Sequence, residues 1–294
     1  MRLPLPARWG EGSRAVGMTN NVTYCAELVR TSDRDRYIAA LFAPAEHRSA
    51  LLALYAFNIE IGRVREAARE ALPGEIRLKW WDEVLAGKRQ EEARANPVAD
   101  ALISAIARHN LAAEKLIELI EARRFDLYDE PMATIADLET YARRTASAVI
   151  DIAAQILGVD AAAAAEPAGM AYGIAGLLRA LPLHAARHQL YVPIEVLDRL
   201  GVRPNELVAR QSSANVNAAL AELRNLARRH LAAAHDRLRS LPHRALPAFL
   251  PIALVRPSLD RLERGDPFAA ADISPWRRQW LIWRAARNPA RIAG

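Results

Sequence analysis

The sequence predicts an all-α protein, and three observations support this fold class. Hydrophobic residues make up 52% of the chain and aromatic residues only 6%, so alanine and leucine supply most of the apolar set. Both are good helix formers. Apolar positions recur at helical spacing along nearly the whole chain, and no Asn-Gly or Asp-Gly pair marks a hairpin. We expect one helical domain over residues 21–294, preceded by a disordered extension over residues 1–20.

Prolines and glycines mark the helix boundaries in the first half of the chain. Pro44 ends the first helix, and the segment LPGE at 72–75 ends the second. Gly87 closes the third helix, while Pro97 is suited to the first turn of the fourth. A fifth apolar-periodic segment ends at Asp129. These signals predict helices over 21–42, 45–71, 74–87, 97–110 and 112–129.

Capping residues define the helices of the second half. Thr134 or Asp137 caps a long sixth helix, which Gly158 closes. A segment rich in small residues follows, and a long amphipathic helix ends before Pro242. These signals predict helices over 134–158, 161–181, 215–241 and 274–288, with a short interrupted segment at 191–201.

Composition limits the classes of partner and the cellular location. The single cysteine, Cys25, excludes an intramolecular disulfide and any multi-cysteine metal site. The net charge of +6 suits anionic partners such as phosphates or an acidic membrane surface, but no nucleic-acid-binding motif is present. No apolar run approaches the roughly 20 residues of a membrane span, and the N-terminus does not resemble a secretory signal. We expect a cytoplasmic protein, or one bound peripherally to the inner face of the cytoplasmic membrane.

Four segments between about residue 25 and residue 240 resemble the squalene and phytoene synthase family in order and spacing. They are RDRYIAALFAPAEHRSALLALYAFNIEI, RLKWWDEVLAG, FDLYDEPMATIADLETYARRTASAVIDIAAQILG and AYGIAGLLRALPLHAARHQLYVP. The resemblance implies an isoprenoid-synthase-type helical bundle around a central cavity. It also implies the chemistry of working members, which join two prenyl diphosphates head to head with Mg²⁺ held by two aspartate motifs.

The chain departs from that resemblance at both motifs. Where the family has its first aspartates, the chain has Gly62, Arg63 and Glu66; at the second motif it has Ala180 and His184. Carboxylates four residues apart on a helix can share a metal cluster, and Mg²⁺ requires such oxygen ligands. The sequence therefore predicts no metal site, no confident catalytic residue and no cofactor. Mg²⁺ is implied only if the chain is an active synthase.

The second motif region is more similar to a catalytically degenerate branch of the family. That branch has the pattern of Leu178, Arg179, Pro182, His184 and Arg187. The resemblance implies a role in assembling respiratory complex I (NADH:quinone oxidoreductase), with its subunits or assembly intermediates as partners.

The same stretch suggests a cationic pocket in the place of the metal site. Arg179, His184 and Arg187 lie near one helix end, and Arg63 would face them, so that the pocket would bind an anionic head group directly. The alternative is that these residues cap a helix and pair with acids such as Glu60. We name three further ligand-binding candidates, which are Asp126, Tyr141 and Tyr191.

The C-terminal helix carries Trp276, Trp280 and Trp283 on one face, with arginines beside them. This pattern suits a membrane or partner surface, and it suits equally a helix docked on its own domain.

Three functional hypotheses follow. The leading one is a non-catalytic assembly factor for complex I at the membrane. The second is an active prenyltransferase of the squalene or phytoene synthase type. The third is a protein that binds a lipid or a diphosphate and has no assembly role. Under the leading hypothesis the cavity is expected to be able to hold a lipid or prenyl ligand.

Overall fold

A computed structural model describes the backbone of residues 9–67, 71–269 and 272–293. Within these ranges it describes the side chains from residue 20 onward, except those of residues 66, 67 and 289. The described residues form helices and connecting turns and contain no β-strand, which confirms the predicted all-α class. The α-helices are α1 Trp9–Ser32, α2 Arg34–Leu41, α3 Ala45–Gly62, α4 Val64–Ala67, α5 Ala71–Leu85, α6 Gln90–Ala95, α7 Pro97–His109, α8 Ala113–Arg124, α9 Ile135–Ala142, α10 Ala148–Ile156, α11 Ala162–Arg179, α12 Leu181–Ala186, α13 Ile194–Arg199, α14 Pro204–Val208, α15 Ala214–Arg239, α16 Leu246–Phe249, α17 Val255–Arg264 and α18 Pro275–Arg287.

Short 3-10 and π-helical segments connect several of these helices. The 3-10 segments are Phe125–Leu127, His243–Ala245, Leu250–Leu254 and Pro289–Arg291. Arg143–Ser147 forms a π-helical turn that joins α9 to α10 without a break.

Local capping chemistry explains the boundaries that the sequence predicted well. The Asn96 side chain accepts hydrogen bonds from the backbone N–H groups of Val98 and Ala99, which fixes the start of α7. Thr134 and Asp137 form a reciprocal capping box at the start of α9. These side chains satisfy N–H groups that have no partner within the helix.

Three boundaries differ from the prediction. The first helix begins at Trp9 instead of residue 21, because an established helix extends at little cost, and the disorder of the extension over residues 1–20 stays a prediction. Residues 1–8 lie outside the described residues. The helix expected over 45–71 breaks at Arg63, directly after Gly62, because glycine is a poor helix former near an exposed end. The helix expected over 134–158 contains the π-helical turn at Arg143–Ser147.

Helix α11 lies at the centre of the packing and contacts α15, α17 and the π-helical turn. Its small residues allow this close approach: a Cβ atom added to Gly169 would lie 2.2 Å from the Cα atom of Ser147. The Ser147 hydroxyl donates a hydrogen bond to the carbonyl of Glu166 at 2.7 Å and holds the two segments together. On the other side, α3 packs against α1, α7 and α10. The ends of α3 and α11 carry the predicted site positions.

No helix in the described part of the chain has both the length and the apolar character needed to cross a membrane.

Candidate functional site

A cluster of buried polar side chains surrounds Asp126. One carboxylate oxygen, Oδ1, accepts hydrogen bonds from the hydroxyls of Tyr141 at 2.7 Å and Tyr191 at 2.6 Å. The other, Oδ2, accepts from Nη1 of Arg123 at 3.1 Å. The same Nη1 donates to the Tyr141 hydroxyl at 2.8 Å. Both carboxylate oxygens of Asp126 are therefore hydrogen-bonded to side chains of the protein itself. We call Arg123, Asp126, Tyr141, Tyr191 and His184 together the Asp126 cluster.

Secondary structure fixes the position of each member of the Asp126 cluster. Arg123 lies in the last turn of α8, and Asp126 lies in the 3-10 segment that continues it. Tyr141 lies in the last turn of α9. Backbone hydrogen bonds join the chain before α9 to the chain beside Tyr191: the N–H of Met132 donates to the carbonyl of Leu190 at 3.1 Å. The cluster is thus assembled from segments that are distant in sequence.

Burial controls the protonation of this cluster. Burial, followed by the proximity of the other tyrosine and of Asp126, raises the pKa of Tyr191. Burial likewise raises the pKa of Tyr141. Burial lowers the pKa of His184 to about 4, so its imidazole is neutral at pH 7 and packs against the Tyr191 ring at 4.5 Å between centroids. The tyrosines act as hydrogen-bond donors and the histidine as an uncharged packing group.

Arg179 lines a separate cleft of about 710 Å³ between α2, α11 and α18. Arg36 and Arg278 line the same cleft, and each forms an ion pair with a neighbouring acid. Nη1 of Arg36 lies 2.7 Å from a carboxylate oxygen of Asp33, and Arg278 pairs with Asp35. Arg179 itself lies 3.8 Å from a carboxylate oxygen of Asp272. Much of the positive charge in this cleft is thus balanced by acids of the protein.

Arg63 lines a second cleft, of about 780 Å³, together with Glu60, Arg77 and Trp80. The structure therefore brings Asp126, Tyr141, Tyr191 and His184 together, but it places Arg63 and Arg179 in different clefts. Arg63 is the residue that follows the last turn of α3. Ala180 lies at the N-terminal end of α12 and Arg187 at its C-terminal end. The side chain of Glu66 lies outside the described residues.

Sequence reasoning missed Arg123, the residue that neutralises Asp126. It also missed Gln189, whose side-chain amide donates to the Asp126 carbonyl at 2.8 Å. A signal for Arg123 is present, since it precedes Asp126 by three residues and such spacing brings two helical side chains together. No sequence signal places Gln189 in the cluster.

The three tryptophans of α18 lie on its exposed side. Their exposed fractions are 82% for Trp276, 51% for Trp280 and 44% for Trp283. The helix docks through other residues, because Leu281 and Ile282 are buried beneath it. Docking on the domain therefore does not account for the tryptophan face.

Comparison with known proteins identifies the family. Residues 29–284 match the squalene/phytoene synthase family. The chain belongs to this family. Complex I assembly factor 6 from Homo sapiens is 32% identical over 271 residues, which cover 90% of this chain and 81% of that protein. The 15-cis-phytoene synthase from Synechococcus elongatus is 24% identical over an alignment that covers 93% of this chain and 94% of that protein.

A solved structure confirms the isoprenoid-synthase-type fold. The crystal structure of a dehydrosqualene synthase in complex with ligand aligns with a TM-score of 0.78 at 18% identity. The alignment covers 92% of this chain and 96% of the other. The predicted single helical domain of this type is thereby confirmed.

The Asp126 cluster spans the two positions that the family resemblance assigns to aspartates. At one end, a Cβ atom on Gly62 would lie 3.9 Å from the guanidinium carbon of Arg123. At the other end, His184 packs on Tyr191. A guanidinium group and a neutral imidazole do not provide the oxygen ligands of Mg²⁺. No group of three His, Cys, Asp or Glu side chains among the described residues is arranged to hold a metal ion. Beside these two positions the described side chains therefore present a cation and a neutral ring, and the expected absence of a magnesium site stays a prediction.

Proposed function

We propose that this protein is a non-catalytic assembly factor for respiratory complex I. The observation that carries the proposal is the pairing of Arg123 with Asp126 beside Gly62. A diphosphate leaving group needs metal ions held by free carboxylates, whereas this carboxylate already accepts bonds from Arg123 and two tyrosines. The similarity to complex I assembly factor 6 from Homo sapiens supplies the specific role.

In this proposal the retained helical bundle serves as a binding scaffold. Its partners are subunits of complex I or assembly intermediates, and it acts on the cytoplasmic side of the membrane. The cleft at Arg179 is the site we assign to a lipid or prenyl ligand, since arginine and tyrosine side chains line it beside apolar ones such as Ile38.

Gene deletion tests the assembly role. Membranes of the deletion strain should lose most NADH:quinone oxidoreductase activity and the assembled complex, while succinate:quinone oxidoreductase activity stays unchanged. Squalene and phytoene contents should also stay unchanged. The plasmid-borne gene should restore the activity. Normal complex I in the deletion strain, or loss of isoprenoids with complex I intact, would overturn the proposal.

An active prenyltransferase is the second candidate, and the match to 15-cis-phytoene synthase along 93% of the chain favours it. The assay incubates the purified protein with labelled farnesyl or geranylgeranyl diphosphate, Mg²⁺ and NADPH. Products of 30 or 40 carbons that disappear in a Glu66→Ala variant would establish this activity. We expect none, in parallel with a working synthase as positive control.

A further inference from the structure

A surface feature separate from the Asp126 cluster lies where α18 packs beside α2. The exposed tryptophans of α18 and the exposed ring of Phe42, at the end of α2, form what we call the aromatic face. Its members are Phe42, Trp276, Trp280 and Trp283. Phe42 and Trp283 line one cleft of about 640 Å³, so the two helices contribute to a single surface.

The face is not needed to hold α18 in place. The opposite side of the helix is buried through Leu281, Ile282 and Ala285. A bidentate ion pair between Arg278 and Asp35 also ties α18 to α2. Three large indole rings therefore remain in contact with water although the helix is already anchored. Contiguous exposed apolar surface of this kind marks an interaction site.

The charge on this surface is positive. Helix α18 contains no acidic residue. Among the described residues, Arg277, Arg284 and Arg287 have no ion-pair partner, although Asp272 lies close to Arg278. The guanidinium carbon of Arg284 lies 4.5 Å from the centre of the Trp280 ring, and that of Arg287 lies 4.2 Å from the centre of the Trp283 ring.

Arginine therefore alternates with tryptophan on one exposed helix face. The adjoining cleft adds Arg34, which is exposed, and Arg30, which pairs with Glu27. Phe42, Tyr37 and Trp283 form apolar walls of the cleft. A partner that fits this surface must present negative charges in a polar layer above an apolar layer.

We propose that the aromatic face and its cleft bind the headgroup region of an anionic phospholipid bilayer. Tryptophan is suited to this position because its ring is amphipathic and lies at the level of the headgroups. Arginine binds phosphate oxygens through two parallel hydrogen bonds. Helix α18 lies in the plane of the membrane surface, with its tryptophans directed into the interface and its leucine and isoleucine directed into the protein.

Sedimentation with lipid vesicles tests this proposal. The full-length protein is incubated at physiological salt with vesicles of pure phosphatidylcholine, or with vesicles that contain about one-third phosphatidylglycerol. We expect binding to the anionic vesicles, little binding to the neutral ones, and a blue shift of tryptophan fluorescence on binding. Because each basic residue near an anionic surface adds about a factor of five, Arg284→Gln/Arg287→Gln should weaken binding about 25-fold.

Matched variants separate this surface from the rest of the molecule. Arg229→Gln/Arg239→Gln removes two exposed arginines from α15 and should leave binding unchanged. Trp280→Ala/Trp283→Ala should abolish the binding and the blue shift, whereas Ile76→Ala, at another exposed apolar side chain, should not. Circular dichroism confirms that each variant is folded.

Two results would overturn the proposal. One is equal binding by the wild type and the tryptophan variant. The other is no vesicle binding together with a dimer that the tryptophan variant dissociates, which would assign the face to a second copy of the chain. The proposal stands apart from the assembly role, because vesicle binding is measured on the purified protein and complex I activity is measured in cells.

Discussion

The variant Asp126→Asn tests whether the Asp126 cluster stabilises the fold as a charge-balanced unit. The substitution keeps the size of the side chain and removes the negative charge that faces Arg123. Only 10% of the Asp126 side chain and 21% of the Arg123 side chain are exposed. Removing one partner of a buried ion pair costs about 3–5 kcal/mol, because the remaining charge stays buried. The partial exposure of Arg123 places the expected loss near the lower end, about 3 kcal/mol.

Urea unfolding, followed by tryptophan fluorescence, measures this loss as a change in midpoint at constant slope. The control is Asp129→Asn, which removes the carboxylate that pairs with Arg65 at 2.5 Å. The Asp129 side chain is 65% exposed, and exposed pairs contribute about 0–1 kcal/mol. A loss for Asp126→Asn no larger than the loss for Asp129→Asn would refute the reasoning.

A second substitution extends this test. In the Asp126→Asn background, Gly62→Asp places a new carboxylate beside Arg123, because its Cβ atom would lie 3.9 Å from the guanidinium carbon. We expect it to recover at least about 1 kcal/mol more than Gly62→Asn in the same background, since only the acid restores the charge pair. Equal recovery by both would show that the gain comes from replacing glycine in a helix.

Three further predictions concern pH, packing and reactivity. Burial lowers the pKa of His184 to about 4 in the folded protein, against 6.5 in the unfolded chain. As the pH drops from 6.5 to 4 the unfolded chain therefore binds the proton first, and the free energy of unfolding falls, by about 2 kcal/mol at pH 5. Urea unfolding of wild type and His184→Gln across this range checks it, and parallel pH profiles would contradict it. Gly169→Ala should lower the melting temperature and the stability, by about 1–3 kcal/mol, because the new Cβ atom would meet Ser147. The control Gly176→Ala has nothing within 4 Å of its Cβ atom and should raise the stability by about 0.5–1 kcal/mol. Equal melting temperatures for the two variants would contradict this prediction. Burial raises the pKa of Cys25 to about 12, so iodoacetamide at pH 8 should label it in urea and not in the native protein, and rapid native labelling would show that the thiol is accessible.

Local sequence signals predicted most of the helices and few of their irregularities. Thr134 and Gly158 carry their boundary information in their own side chains or conformations, so the limits near them were predictable. The break at Arg63 follows Gly62, a local signal that the prediction did not use, whereas the π-helical turn at Arg143–Ser147 lies against α11 and depends on tertiary packing. Gly169 illustrates the reason. It approaches Ser147 because α11 packs against the π-helical turn, and the spacing of apolar residues along the sequence does not indicate which two segments will pack together.

The candidate site divides in the same way. The family resemblance and the residue types led to Asp126, Tyr141, Tyr191 and His184, and the structure brings these four together. Their role in ligand binding stays a prediction. The pairing of Arg123 with Asp126 was missed although their spacing of three residues is a signal for it. The position of Arg123 beside Gly62 was not predictable, because the sequence alone does not show where the end of α8 lies. The sequence shows where the acidic and basic residues lie along the chain, but only the fold determines which of those distant in sequence form pairs.

The pairing of Arg123 with Asp126 also limits how this chain can evolve. A return to a carboxylate–metal site by way of Gly62→Asp would bring the new acid against Arg123, which would occupy it. Removal of Arg123 alone would leave Asp126 buried with only its tyrosine donors. Each single step toward metal binding is therefore neutral or harmful unless the others have already occurred. Arg123 therefore makes the recovery of a carboxylate–metal site depend on several simultaneous substitutions.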